Sequence, residues 1–200
     1  MDHQHEETPL KVRSYRSVIA AAFQLYNHSI LQMLKSVWPW ILLTAVLSTA
    51  TGLLTIIERY LFIPLPILTV LSEMFLWVMA TRWLTKKSLK DIMRKTSRHW
   101  LLMLWVVIAT LLVLLPLVQL VGLPLTILAL AQWEATNSFL IGDTEGIPHN
   151  MPYFLAAVWC VITALQLIIR LFVVYIGYYA WGSAEVKKRD REQQRLNLFQ

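Results

Sequence analysis

Three ionisable side chains stand inside stretches that are otherwise free of charge: Glu73, Glu134 and Arg170. Further polar groups gather near two of them, Gln132 and Asn137 beside Glu134, and Gln166 one helical turn before Arg170. A charge at the centre of a bilayer costs at least about 2.5–3.5 kcal/mol, so each group must find a partner, face water or reach for the interface. Two chemistries follow. Arg170 can pair with Glu134 or Glu73 and lock helices together. Alternatively, a carboxylate lines a wet cavity and exchanges protons or cations. Pairing is the expectation and ion coupling its rival.

The other reactive residue types form no constellation. His3-Gln-His5 has the donors for a metal but lies in a polar terminus with no further ligand, while His28, His99 and His149 stand far apart. No metal site is expected. Cys160 falls within an apolar stretch and reads as a small buried hydrophobe. A nucleophile elbow, a phosphate loop and a His-Glu-x-x-His pair are all missing from the sequence. The expectation is a protein without catalytic activity and without cofactors.

The elements that must position Glu73, Glu134 and Arg170 are legible from the spacing of charge. Ser36 to Ile57 is 22 residues without a charge, Trp100 to Trp133 is 34 and Met151 to Ile169 is 19. Between Tyr60 and Thr81 the one charge is Glu73. A hydrocarbon core about 30 Å thick needs about 20 residues of helix. Hydrophobic residues make up 57% of the 200 and charged residues 15%, too apolar for a soluble ball of this size. Runs such as Leu111-Leu112-Val113-Leu114-Leu115 do not alternate, which argues against barrel strands. The expected fold is all-α, a polytopic transmembrane helical bundle of four to five spans with an N-terminal amphipathic interfacial helix.

In this reading residues 1–7 are a disordered tail and 8–36 the interfacial helix, opened by Thr8 as N-cap and Pro9. Val12, Tyr15, Ile19, Phe23, Tyr26, Ile30, Met33 and Val37 form its apolar stripe. The transmembrane domain is 37–184, with spans at about 37–57, 64–83, 100–121, 125–141 and 153–183. Gly122-Leu123-Pro124 reads as a turn or kink, which makes 125–141 a candidate re-entrant segment. Leu65-Pro66-Ile67-Leu68-Thr69 echoes Leu123-Pro124-Leu125-Thr126-Ile127, through either a duplicated hairpin unit or chance in leucine-rich helices. Residues 185–200 form a basic tail. Without a cleavable leader pattern, the first span is expected to remain as a signal anchor.

Lys and Arg mark the cytoplasmic side. They number four in the N-terminal segment, seven in the connector 82–100 and five in the tail, whereas the loop 142–152 has none. The N-terminus, connector and tail therefore all favour the cytoplasm, which an odd number of crossings cannot satisfy. Four crossings plus one irregular segment is the preferred solution, in a bacterial inner membrane. Arg13, Arg16, Lys86, Lys87, Lys90, Arg94 and Lys95 lie where anionic lipid headgroups are at hand, at about 1 kcal/mol each. The net charge of +6 is thus assigned to lipid and not to nucleic acid. A membrane-protein partner or a second copy of the chain is the other expected contact.

Tyr15–Val46, with Ile19-Ala-Ala-Ala-Phe23-Gln-Leu25-Tyr26 leading to Trp38-Pro39, resembles the start of uncharacterised bacterial multi-pass families. These are similar to the membrane domain attached to some glycerophosphodiester phosphodiesterases. The resemblance implies an amphipathic helix followed by repeated hairpins and carries over no catalytic residue. The expected role is a membrane scaffold or accessory subunit, with a small proton- or ion-coupled transporter, and then handling of anionic lipid, as alternatives.

Overall fold

The computed structural model describes residues 14–56, 64–86, 100–141 and 150–197. Within them the chain forms five α-helices: α1 Tyr15–Ile56, α2 Pro64–Thr85, α3 Trp100–Ile141, α4 Met151–Arg170 and α5 Phe172–Asn197. Four stretches are long and apolar enough to cross a membrane: Arg16–Leu54, Pro64–Thr85, Leu104–Ser138 and Met151–Gln194. The protein is an all-α transmembrane helical protein. Its surface fits that solvent, since Val113 is 75% exposed and Leu112 64% on a helix made almost entirely of such residues.

Three boundaries differ from the sequence reading. The segment 8–36 and the first span are not separate over the described residues, because α1 runs unbroken for 42 residues with Pro39 inside it. Its start at Thr8-Pro9 lies outside the described residues, as does the tail 1–7. Likewise Gly122-Leu123-Pro124 is no turn, and 125–141 is the second half of α3, which holds both Pro116 and Pro124. A turn in lipid would strand several backbone groups, whereas a helix that keeps a proline loses one bond. The carbonyl that Pro124 leaves without its N–H is that of Leu120; two side chains bond to other carbonyls of the same stretch, Thr126 Oγ1 to that of Gly122 at 3.2 Å and Gln166 Nε2 to that of Val118 at 3.1 Å. The Leu-Pro echo loses its structural parallel for the same reason, since Pro66 falls in the first turn of α2 and Pro124 mid-helix.

The third difference lies in 153–183, which is interrupted at Leu171 despite having no proline there. Val174 N–H closes on the Leu171 carbonyl at 3.0 Å, a tighter three-residue step. The residues flanking the break are committed to different partners, Arg170 to Glu73 and Phe172 to Tyr26. Beyond it α5 continues to Asn197, so most of the basic tail is helical. Glu185–Arg189 and Lys188–Glu192 pair one turn apart on it, at 3.9 and 3.5 Å.

The chain divides into two compact units. One comprises Met1–Leu34, Ala80–Leu112 and Leu171–Gln200. Its core is aromatic: Tyr26 stacks edge-on against Phe172 and Tyr175 with centroids 5.4 and 5.3 Å apart. Tyr175 is fully buried, with its hydroxyl 3.0 Å from Ser29 Oγ and 3.6 Å from Met33 Sδ. Ser29 Oγ donates to the Leu25 carbonyl at 2.6 Å, which leaves the Tyr175 hydroxyl as donor to it. The buried stripe of α1 here is Val18, Ala22, Ser29 and Met33, whereas Ile19 and Phe23 of the expected stripe are exposed. Small side chains face inward because two aromatic rings must fit beside them.

The other unit comprises Lys35–Met79 and Val113–Arg170. Val37, Thr44, Ala45, Leu76, Leu155 and Leu167 are its most enclosed side chains. Gly52 is required here, since a Cβ in its place would overlap the Trp159 ring. The Trp40 and Phe75 rings lie 4.3 Å apart by centroid, and Thr51 and Thr69 hydroxyls meet at 3.4 Å. These contacts tie α1 to α2 and α4.

Candidate intramembrane polar site

The second unit holds the polar residues expected to matter. Glu73 lies on α2 between Ser72 and Met74, in a helix with no acidic group in its first turn and only Arg82 as a base in its last. Arg170 ends α4. Arg170 Nη1 donates to Glu73 Oε1 at 3.0 Å, with side chains 32% and 27% exposed. Of the two partners open to Arg170 in the sequence, the fold selects Glu73. A charge-assisted bond of this length neutralises both groups, and partial exposure spares them the full penalty of a dry interior.

Gln166, one turn before Arg170 on α4, points to α3 and binds the Val118 carbonyl. Gly122 gives it room, because a Cβ there would stand 2.8 Å from Gln166 Nε2. One edge of α4 therefore grips α2 through a guanidinium and α3 through an amide. The i, i+4 spacing of Gln166 and Arg170 made that shared face legible in the sequence. Their partners, a carboxylate 97 residues away and a backbone carbonyl, left no such signal.

The remaining candidates do not join this cluster. Glu134 is exposed on α3, and among the described residues no ion pair includes it. Gln132 is 2% exposed, and among the described residues its Oε1 has no hydrogen-bond partner. Asn137 is half-buried. Of the headgroup candidates, Arg16 is exposed on α1. Lys86 is exposed just past α2 with φ of 51°, its N–H closing on the Arg82 carbonyl at 2.9 Å as a left-handed cap. Arg13, Lys87, Lys90, Arg94 and Lys95 lie outside the described residues.

Cys160 is half-buried and His28 exposed. His3, His5, His99 and His149 lie outside the described residues, and among the described residues no three potential metal ligands gather. Sequence reasoning missed the Ser29–Tyr175–Met33 cluster. A lone Ser in a leucine-rich helix is ordinary, and only the packing of α5 reveals its partner. No family model, no curated protein and no solved structure matches this chain.

Proposed function

We propose that this chain is a non-enzymatic integral protein of a bacterial inner membrane, acting as a scaffold or accessory subunit. The observation that carries the reading is the Glu73–Arg170 pair. A carboxylate that ferries protons or cations must exchange them with water, whereas here it is held by a guanidinium that α4 supplies. Glu134, the other carboxylate open to transport, is exposed on α3 and not enclosed among helices, which weakens the transport alternative.

The charge bias supports a cytoplasmic side for the N-terminus, the basic connector and α5's charged end, and an even number of crossings is compatible with it. At about 1.5 Å per residue, the 42 residues of α1 and α3 span about 63 Å each, twice the hydrocarbon core, so both helices tilt or project. The polar exposed residues Arg16, Gln24, Asn27 and Gln32 suit the early part of α1 to the headgroup region or beyond.

The test is reconstitution with ion flux and topology read together. Purified protein in proteoliposomes is expected to add no proton or cation flux above protein-free vesicles. Cysteines placed at residues 4 and 194 are expected to label from the same side. Flux that disappears in Glu73→Gln while the protein stays folded would overturn the scaffold reading in favour of ion coupling.

A further inference from the structure

Gln119 lies on α3 near the middle of the charge-free stretch 100–133. It is exposed, and among the described residues its amide makes no hydrogen bond. Leu123, Ile127, Leu130 and Glu134 share its outward face, all within about 80° of it on a helix turning 100° per residue. Pro124, in the same helix, has no N–H to offer the Leu120 carbonyl, and Leu120 is 63% exposed. Little more than one turn of helix therefore presents an amide able to donate and accept, beside a carbonyl short of its usual donor. Lipid tails can satisfy neither.

We propose that a second copy of this chain covers this face, α3 packing on α3 about a two-fold axis along the membrane normal, with the two Gln119 amides hydrogen-bonded across it. The occupant follows from the chemistry of the amide. A carboxamide carries both a donor and an acceptor, so a two-fold axis satisfies each copy with the same group of the other and closes the assembly at two. Interhelical amide bonds of this kind hold membrane helices together where burial of apolar surface gives no driving force. Glu134 shares the face and would meet its own image if the helices ran in contact throughout. Fifteen residues on, however, it is about 22 Å from Gln119 along the axis. Helices crossing near Gln119 at about 40° have diverged by about 15 Å at that level, and both carboxylates reach headgroup water.

This dimer is independent of the scaffold role and of the Glu73–Arg170 pair, because either can fail while the other holds. The test uses full-length protein in vesicles of phosphatidylcholine and phosphatidylglycerol at high lipid excess, in a Cys160→Ala background. Leu123→Cys is expected to form a disulfide-linked dimer on oxidation, and Val161→Cys, 59% exposed on α4, is not. By energy transfer on dilution in lipid, Gln119→Leu is expected to weaken association about tenfold and Gln119→Asn to retain it. A monomeric wild type, a dimer that cross-links at 161 instead of 123, or Gln119→Leu dimerising as tightly as the wild type would each overturn the proposal. So would a different membrane protein cross-linked at position 123 in place of a second copy. If Gln119→Leu loses its helical circular dichroism, the cross-links at 123 and 161 in the Gln119 protein decide the matter alone.

Discussion

Glu73 and Arg170, 97 residues apart in the chain, meet at 3.0 Å between Oε1 and Nη1 and join α2 to the last residue of α4. Each is a liability alone and neutral as a pair. Removing one partner leaves the other as an uncompensated charge in an apolar bundle. Because both side chains keep about a third of their exposure, the loss falls below that of a fully buried pair. Glu73→Gln is expected to destabilise the protein by about 2 kcal/mol, and Arg170→Gln by a similar amount. The double variant should recover most of that loss. Thermal unfolding in detergent, read as a double-mutant cycle, checks the coupling, and simple additivity would show that the pair contributes nothing.

The Tyr175 hydroxyl is the buried polar contact that fastens α5 to α1. Tyr175→Phe keeps the edge-on stacking with Tyr26 and removes the hydroxyl's contacts to Ser29 and Met33, so a loss of about 1 kcal/mol is expected. Ser29→Ala should cost about as much, and the two together little more than either. A flat melting temperature across all three variants would place the stability of this unit in the ring packing alone.

At Gly52 two effects oppose each other. Glycine inside a helix is worth about 1 kcal/mol less than alanine, yet an alanine Cβ would overlap the Trp159 ring. Overlap with a stiff indole outweighs the backbone gain, so Gly52→Ala is expected to destabilise by about 2 kcal/mol. Adding Trp159→Leu should relieve most of it. Melting temperatures of the single and double variants report the balance, and a more stable Gly52→Ala would mean that the indole swings aside at no cost.

Gln132 is the reverse case, a polar side chain whose removal should help. Its Oε1 is enclosed and, among the described residues, has no partner. Gln132→Leu keeps the volume and discards the unmet acceptor, which is expected to raise stability by about 1 kcal/mol. Unfolding midpoints in detergent test this. A clear fall would mean that Gln132 is held by a group that the unpartnered Oε1 does not reveal.

The sequence alone determined the solvent and the fold class. Long charge-free stretches can satisfy their backbone in lipid only as helices, and that follows from composition and length without any tertiary contact. It also picked out Glu73, Gln166 and Arg170, because a charge or amide amid leucines is conspicuous wherever it ends up pointing. Tertiary structure decided the rest. Whether Pro124 turns the chain or rides inside α3 depends on its surroundings, since a turn in lipid strands several backbone groups where a helix loses one bond, and not on the local Gly-Leu-Pro. The choice of Glu73 over Glu134 for Arg170 depends on how α2 packs beside α4, and the burial of Ser29 in place of Phe23 on the rings that α5 delivers. In a helix nearly uniform in hydrophobicity, periodicity cannot tell an inward face from an outward one. Only the neighbours, through the room they leave and the hydrogen bonds they offer, assign it.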